Sequence, residues 1–295
     1  MHATSLHIAA ATHVGLVRER NEDAFVVADL STGSHVIAER YAARLAPSQD
    51  GALVAVSDGM GGASAGDLAS RLVVESLAQG FIHARDRRHS IERVEAAVDH
   101  AHRAVLDEAC VRGIKMGATL TGLFVRGGHA YVAEVGDSRA YLLRRGELTQ
   151  LTKDQSYVQL LLDEGLIGPD EVDGAPFRHA ILQAMGHQPK LRAVVGRLDL
   201  RARDCILLCS DGVHGPLDDR ALERLLLTSA TLEAACGAII QAALDAGGPD
   251  NATVALVGVG GDLASADVDE PVDETYRVVV DAKVTQGRHL GGRAR

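Results

Sequence analysis

Acidic residues stand at the ends of four apolar, strand-like segments of the chain. Segments 52–56 and 205–209 run into Ser-Asp-Gly, while 24–27 and 252–257 begin just after acidic residues. Carboxylates gathered from distant parts of a chain on one sheet edge would repel one another unless a cation neutralised them. A hard divalent cation that prefers oxygen ligands, Mg²⁺ or Mn²⁺, fits such a group. The acidic residues concerned are Glu22, Asp23, Asp58, Asp211 and Asp250.

Each of these acids, taken alone, also fits ordinary turn chemistry, because Asp-Gly after a strand is commonly a turn. The glycines at 59, 61 and 62 would let the backbone pass close to a metal, and a merely flexible turn is the alternative. Gly136 before Asp137 likewise suits a tight turn between strands. The set of acids, rather than any single one, therefore carries the metal hypothesis.

Length and composition predict a soluble globular protein. The 295 residues, 46% of them hydrophobic, suffice for one large domain or two small ones, and the composition also fits a monomer. The formal net charge is −10 and basic residues cluster only at 286–295, so we expect no nucleic-acid partner. The apolar stretches are too short to cross a bilayer and the N-terminus lacks a signal-peptide pattern. We therefore expect a cytoplasmic protein without a membrane partner.

The cysteines form no CxxC pair and have no metal-type spacing with histidine. We interpret them as free thiols, three of them in apolar surroundings, which is consistent with a reducing compartment. The four cysteines are Cys110, Cys205, Cys209 and Cys236.

The pattern of apolar residues predicts both helices and antiparallel strands. Alternation with turns at 126–128 and 145–146 predicts antiparallel strands over 119–148. Segment 31–50 has no clear period and is predicted to be a loop, and 275–284 is predicted to be an extra strand. Helical spacing of apolar residues is found at 67–79, 91–110, 156–164, 218–227 and 232–245.

Across residues 6–259 the motifs form an ordered series that resembles the metal-dependent protein serine/threonine phosphatases of type 2C, the PPM family, in its bacterial version. The series as a set is highly specific. It consists of Val17-Arg18-Glu19-Arg20-Asn21-Glu22-Asp23, Ser57-Asp58-Gly59-Met60-Gly61-Gly62, Gly117-Ala118-Thr119, Gly136-Asp137-Ser138-Arg139, Ser210-Asp211-Gly212 and Asp250-Asn251-Ala252-Thr253.

The resemblance implies a role for each acidic residue. Asp58 would bridge two metal ions, with the carbonyl of Gly59 as a ligand of one ion and Asp211 and Asp250 as ligands of the other. Asp58, Asp211 and Asp250 are thus the expected catalytic residues. Glu22 and Asp23 would hold metal-bound waters or join the ligand shell, and Asp137 would bind a third, weaker metal ion.

The resemblance also implies that Arg18 binds the substrate phosphate. A planar guanidinium can take two phosphate oxygens in its fork, which an ammonium group does less well. Two divalent ions about 3.5–4 Å apart can lower the pKa of a shared water and clamp the phosphoryl oxygens during in-line attack. No nucleophilic side chain is then required.

One departure from the family pattern concerns the proton for the leaving alkoxide. Many bacterial relatives carry a histidine where this chain has Ala63. The proton would then come from water or from another residue, and His214 is one alternative, although a loop histidine is more often a solvated bystander.

The resemblance implies an α+β fold, a four-layer αββα sandwich of two antiparallel sheets flanked by helices. Residues 6–260 would form the phosphatase domain, with a flap insertion at about 153–184 that tunes substrate choice, and 261–295 an acidic linker and C-terminal tail. Gln155, near the start of the flap, stands where histidine is frequent in the family.

The expected function is metal-dependent hydrolysis of phosphoserine and phosphothreonine in proteins, with two Mn²⁺ or Mg²⁺ ions and a possible third. Phosphoprotein substrates and a counteracting Ser/Thr protein kinase would be the partners. One alternative is a catalytically weak, phosphatase-like binding module that recruits a kinase or signalling partner. Another is a metal hydrolase that acts on a small phosphate ester.

Overall fold

Two antiparallel sheets lie face to face in the computed structural model, with helices on both outer faces. The structure describes residues 4–61, 65–172, 174–175, 177, 180–267 and 270–279. Ala63, at the position of the missing histidine, and the tail from residue 280 lie outside these residues. The predicted α+β sandwich with four layers, αββα, is confirmed.

The strands in the described residues are β1 (Thr4–His13), β2 (Asp23–Asp29), β3 (Ser34–Val36), β4 (Arg40–Leu45), β5 (Ala52–Met60), β6 (Gly117–Ala118), β7 (Leu120–Arg126), β8 (His129–Val135), β9 (Arg139–Arg144), β10 (Glu147–Gln150), β11 (Val194–Asp199), β12 (Cys205–Cys209), β13 (Ala252–Gly261) and β14 (Tyr276–Val279). The helices there are α1 (Ala65–His83), α2 (Ser90–Arg112), α3 (Tyr157–Asp163), α4 (Asp211–His214), α5 (Asp219–Thr228), α6 (Leu232–Asp245) and α7 (Val272–Thr275), with a 3₁₀ turn at Pro169–Glu171.

The first described strand, β1, lies next to the edge of sheet A, and the last described strand, β14, forms an edge of sheet B. Sheet A runs β10-β9-β12-β13-β1-β4, and sheet B runs β14-β11-β8-β7-β5-β2-β3, with the short β6 paired to β5 off this path. Helices α1 and α2 pack on sheet B, while α5 and α6 lie on the side of sheet A. The metal-type acids come from β2 and β5 in sheet B and from residues beside β12 and β13 in sheet A, so the candidate site spans both sheets.

Three apolar layers hold the sandwich together. The inner layer between the sheets contains Phe25, Val56 and Ile206, all fully buried. The outer layer under α1 and α2 contains Phe81 and Phe124, whose rings lie 4.6 Å apart. The third layer joins sheet A to α5 and α6 and includes the buried thiols of Cys205, Cys209 and Cys236. Burial of this apolar surface is the main stabilising term of such a fold.

The predicted helices are present with ends shifted by a few residues, because capping side chains fix where they begin. Ser156 accepts a hydrogen bond from the Gln159 amide at the start of α3, and Asp218 does the same for α5. The prediction of a loop over 31–50 is wrong in part, because β3 and β4 lie within it. Edge strand β4 is only half buried, so its apolar alternation is weak.

Residues 270–279 pack against the body of the molecule. Strand β14 pairs with β11, so the predicted extra strand is confirmed over Tyr276–Val279. The buried Arg144 forms a bidentate ion pair with Asp204 at 2.7 and 2.8 Å and donates a hydrogen bond to the Thr275 hydroxyl at 2.8 Å. Arg201 forms an ion pair with Glu270. This part of the predicted linker and tail is therefore tied to both sheets.

Candidate active site

Asp23 and Asp58 lie directly opposite each other in the antiparallel pair β2–β5. The backbone of Asp58 is fixed from the other side by Thr119, whose hydroxyl accepts from the Asp58 amide at 2.9 Å and whose amide donates to the Asp58 carbonyl at 2.8 Å. Two acids at directly opposed positions of one strand pair would repel each other. Strand pairing thus places two carboxylates close together, and other groups of the site must offset their repulsion.

The carboxylate of Asp23 is held by hydroxyl groups from the other sheet. Ser210 and Thr253 each donate a hydrogen bond of 2.6 Å to Oδ2 of Asp23. Its other oxygen, Oδ1, is buried and has no hydrogen-bond partner among the described residues. Burial raises the pKa of Asp23 to about 7, the two hydroxyl donors lower it, and Asp211 and Asp250 raise it further. A buried carboxylate oxygen without a hydrogen-bond partner, in a group whose pKa is raised, fits a position at which a cation binds.

Asp58 lies at the centre of the acid cluster. Burial raises its pKa well above the ordinary value, and the charges of Asp23, Asp211 and Asp137 raise it further. Its carboxyl group also shares a hydrogen bond with that of Asp211. Burial and then Asp211 raise the pKa of Asp137 to about 7. The structure therefore brings these four predicted site residues together.

Gly59 has no room for a side chain. A Cβ atom on Gly59 would lie 2.0 Å from the carbonyl oxygen of Gly66 and 2.7 Å from that of Glu22. The Gly59 amide donates to the Glu22 carbonyl at 3.0 Å, which closes this crossing of backbones. Only glycine allows the start of α1 and the loop before β2 to approach Asp58 this closely.

Glu22 lies beside this crossing, and its side chain faces the start of α1 at Gly66. Burial raises the pKa of Glu22, whereas Arg18 and a hydrogen bond from the Gly66 amide lower it. The Glu22 carboxyl group lies against Gly66, within 2.8 Å of where a Cβ atom on that glycine would stand.

Arg18 and Asp250 form an ion pair, with 2.6 Å between Nη2 and Oδ2. The two side chains are 53% and 30% exposed, so the pair sits at the rim of the cluster, open to solvent. Hydrogen bonding to Asp250 raises the pKa of Arg18. The predicted phosphate-binding arginine thus lies at the acid cluster, with its guanidinium directed at a predicted metal ligand.

The buried Asn251 fastens the loop that carries Arg18. Its amide nitrogen donates to the carbonyls of Val14 and Arg20, each at 2.8 Å, and its side-chain oxygen accepts from the Glu22 amide at 2.7 Å. These three of the four side-chain hydrogen-bonding positions are therefore used on one loop. Asn251 fixes where Arg18 emerges.

His214 borders the cluster on the side of Asp137. Its Nε2 lies 3.0 Å from the carbonyl oxygen of Asp137, to which the protonated nitrogen would donate. Burial, followed by the charge of Arg139, lowers the pKa of His214 to about 4. A neutral imidazole bonded to a carbonyl is poorly placed to give up a proton, which disfavours His214 as the acid. Arg139 itself grips Asp154 with two bonds of 2.7 and 2.8 Å.

The side chains as they stand do not form a closed ligand shell. Within the described residues, no group of three or more His, Cys, Asp or Glu side chains is arranged to hold a metal ion. The side-chain positions explain this, because the Asp250 carboxylate forms an ion pair with Arg18 and the Asp58 carboxyl group is hydrogen-bonded to that of Asp211.

The residues nevertheless fit a hard divalent cation. The donor atoms are all oxygens, the buried Oδ1 of Asp23 awaits a partner, and the crowded glycine at 59 brings a backbone carbonyl close. Turning Asp250 away from Arg18 would add its carboxylate to the group. The predicted assignments of single ligands stay predictions.

The predicted flap region contains α3 and the 3₁₀ turn and joins the site through Gln155. The Gln155 side chain accepts from the Gly136 amide at 3.1 Å, next to Asp137, and Lys153 forms an ion pair with Asp163. Leu166 and Phe177 are 69% and 75% exposed. The glutamine at the usual histidine position therefore has a structural role of its own.

Sequence reasoning missed the polar residues that hold the acids. Ser210 and Asn251 stand next to predicted ligands, which is the one signal that could have found them. Thr119 and Ser138, each next to a strand end, are hydrogen-bonded to each other at 2.7 Å beside Asp58, but buried hydroxyls are too common to be singled out.

Similarity to known proteins agrees with this geometry. The model of the protein phosphatase 2C family matches residues 41–245. The serine/threonine protein phosphatase PstP of Mycobacterium tuberculosis is 37% identical over 262 residues, which cover 86% of this chain and 45% of PstP. The chain thus spans about half the length of that relative. The serine/threonine phosphatase stp of Listeria monocytogenes is 33% identical over 215 residues, covering 70% of this chain and 83% of that protein.

Solved structures show the same fold. The crystal structure of the PstP catalytic domain in complex with two manganese ions has a TM-score of 0.71 and 34% sequence identity, and the match covers 87% of this chain and 99% of that one. Another PstP structure has a TM-score of 0.72 at 35% identity. With the family model matching more than half of the residues, the chain belongs to the protein phosphatase 2C family.

Proposed function

We propose that this protein hydrolyses phosphoserine and phosphothreonine in proteins, using two Mn²⁺ or Mg²⁺ ions. One observation carries the proposal: Asp23 and Asp58 oppose each other in sheet B, while Ser210 just after β12 and Thr253 of β13, on the sheet A side, hold Asp23. Such an arrangement of buried carboxylates fits a cation-binding centre. Membership of the family and the manganese complex of its relative support the same reaction.

Different residues of the cluster would bind the metal ions and orient the groups around them. Asp58, Asp211, Asp250 and the Gly59 carbonyl would hold the two ions, with Asp23 and Glu22 around them and Asp137 at a third ion. When bound, the ions would lower the pKa of an attacking water and neutralise phosphoryl oxygens. Asp23 would keep its place through its two hydroxyl donors.

Arg18 would hold the phosphate of the substrate. Its guanidinium is half exposed and already directed at an oxygen of Asp250. Once Asp250 turns inward, the same fork is free for phosphate oxygens. Asn251 would keep the loop of Arg18 in place during this exchange. The leaving-group proton would come from solvent, because His214 is neutral at pH 7.

The cellular setting belongs to the same proposal. In the part of the chain that the structure describes, no helix is long and apolar enough to cross a membrane. The buried free thiols at 205, 209 and 236 suit a reducing compartment, which supports a cytoplasmic location. We propose that the protein acts as a monomer on phosphoproteins and opposes a Ser/Thr protein kinase. The flap would contribute to substrate choice.

The test is phosphate release from a phosphothreonine peptide, with and without Mn²⁺, by wild type and by Asp211→Asn. We expect metal-dependent turnover that the substitution reduces by about 10²–10⁴-fold, as for loss of a main electrostatic contributor. A thermal melt of both proteins serves as the control for folding. A wild type that is inactive with both Mn²⁺ and Mg²⁺ would favour the phosphatase-like binding module instead.

A further inference from the structure

A groove lies beside the acid cluster, along the turn between α4 and α5. It has a volume of about 620 Å³. One end is His214, whose ring touches the Asp137 carbonyl, so the groove begins at the border of the proposed active site. We name it the arginine groove; its lining includes His214, Pro216, Leu217, Asp218, Arg220 and Arg224.

The charges of the groove are mainly positive. Arg220 and Arg224 are both exposed and stand four residues apart on α5, so their side chains project on the same side of the helix. Neither has an ion-pair partner among the described residues. The one carboxylate in the lining, Asp218, already accepts a hydrogen bond from the Ala221 amide at 2.7 Å.

In a chain whose net charge is −10, two neighbouring exposed guanidinium groups without carboxylate partners indicate a surface that can bind an external carboxylate. Guanidinium forks match carboxylate oxygens in geometry as well as in charge. The neighbouring acid cluster would repel an extended polyanion, whereas a peptide with a few acidic side chains can place them in the groove and its phosphate at Arg18. The arginine groove thus suits a flanking segment of the substrate.

We propose that the arginine groove binds acidic side chains of the phosphoprotein substrate, next to the phosphorylated residue. The proposal rests on the phosphatase function proposed above and adds a substrate class to it. Four residues of helix advance about 6 Å, and two residues of an extended peptide advance about 6.6 Å. Arg220 and Arg224 therefore match acidic residues at alternate positions, in a Glu-x-Glu pattern.

The test compares phosphothreonine peptides that differ only in a Glu-x-Glu or Gln-x-Gln pair, placed on either side of the phosphothreonine. We expect wild type with Mn²⁺ to prefer one Glu-x-Glu peptide by about tenfold in kcat/KM, from two partly exposed ion pairs. Arg220→Ala/Arg224→Ala should remove this preference through KM. Hydrolysis of p-nitrophenyl phosphate should stay unchanged. Arg71→Ala, an exposed arginine of α1 on the other side of the sandwich, is the matched control.

Charge reversal separates recognition from a structural effect. Arg220→Glu/Arg224→Glu should shift the preference to a Lys-x-Lys peptide, which a locally damaged helix would not do. An active enzyme whose peptide ratios are the same in wild type and in both double variants overturns the groove proposal and leaves the phosphatase function standing.

A direct binding measurement covers the case in which no turnover is found. Fluorescence anisotropy of a labelled Glu-x-Glu phosphopeptide reports binding without catalysis. Binding that weakens about tenfold in Arg220→Ala/Arg224→Ala supports the groove even if the phosphatase proposal fails. Equal binding by wild type and variant contradicts it.

Discussion

Asp23 faces Asp58 across one strand pair of sheet B, yet the carboxylate of Asp23 is hydrogen-bonded by Thr253 of sheet A and by Ser210, which directly follows strand β12 of that sheet. The acid cluster is thus shared between the two sheets, and these side-chain hydrogen bonds join them there. This relationship gives the first prediction.

Thr253→Val removes one hydroxyl donor to Asp23 with little change in side-chain shape. We expect affinity for Mn²⁺ to fall about tenfold or more, because groups that orient ligands typically contribute 10–100-fold. Isothermal titration calorimetry measures this affinity. Thr228→Val is the control, because that hydroxyl donates to the Arg224 carbonyl of its own helix and has no other hydrogen bond among the residues described. Unchanged Mn²⁺ affinity in Thr253→Val would contradict the proposed place of Asp23.

Arg18→Ala should separate substrate binding from metal binding. Loss of the guanidinium should raise KM for a phosphopeptide by about tenfold or more, the scale of a charged hydrogen bond. Affinity for Mn²⁺ should not decrease, because Asp250 loses a competitor for its carboxylate. Arg18→Lys should restore KM only in part. A parallel loss of Mn²⁺ affinity would show instead that Arg18 holds Asp250 in place for the metal.

Gly59→Ala should abolish turnover and destabilise the fold. The added Cβ would meet backbone atoms of Gly66 at 2.0 and 2.4 Å, and these cannot move aside as a flexible side chain can. We expect a loss of about 1–3 kcal/mol or more, measured by urea unfolding. Gly237→Ala is the control: it lies within α6 with open space around it, and it should stabilise by about 0.5–1 kcal/mol. A stable, active Gly59→Ala enzyme would refute the close backbone crossing.

The metal-free protein should lose stability as pH rises. The folded-state pKa values of Asp23 and Asp137, both about 7, lie above the ordinary value of 3.8, so the folded protein holds more protons than the unfolded chain between about pH 4 and 7. The neutral carboxyl groups therefore contribute fully to the stability of the fold below about pH 4. This contribution is lost as the pH rises from about 4 through 7. Thermal melts in EDTA should fall by several degrees between pH 5 and 8. Mn²⁺ should reverse most of this fall.

Glu134 provides the control for the pH experiment. It is buried away from Asp23, and burial raises its pKa to about 8. Glu134→Gln should remove a part of the pH dependence that Mn²⁺ does not reverse. Melting temperatures that do not change with pH in EDTA would show that burial and neighbouring charges do not raise the pKa values of the acids in the cluster.

Tyr276→Ala should release β14 from the sheet. The Tyr276 ring packs over Gly196, where a Cβ atom would lie 2.1 Å from the Tyr276 hydroxyl oxygen. Loss of this aromatic side chain should cost about 3 kcal/mol in urea unfolding, and Gly196→Ala should have a similar effect. Val278→Ala, half exposed on the same strand, should change little. Equal stability of all three variants and wild type would mean that the docked segment adds nothing to the fold.

The acids that the structure brings together could be picked out from the sequence because their signal is local. An apolar run that ends in Ser-Asp-Gly identifies Asp58 and Asp211 without any knowledge of the fold. The hydroxyl donors to Asp23 could not be predicted, because Ser210 and Thr253 lie 187 and 230 residues away in sequence. The Arg18–Asp250 ion pair likewise depends on β1 and β13 being neighbours. Strand β4 was missed because an edge strand needs little apolar alternation.

The pairing of β1 with β13 also determines when the acid cluster can form during synthesis of the chain. The N-terminal strand takes its place in sheet A between β4 and β13, and β13 is the neighbour that joins it to β12 and the rest of that sheet. Asp250 and Asn251 stand just before β13, so the acid cluster lacks one proposed ligand, and the Arg18 loop lacks the side chain that holds it, until that strand leaves the ribosome. Such long-range closure is slow compared with local folding. We expect a nascent chain to stay unable to bind metal tightly, and therefore inactive, until nearly all of its domain has been made.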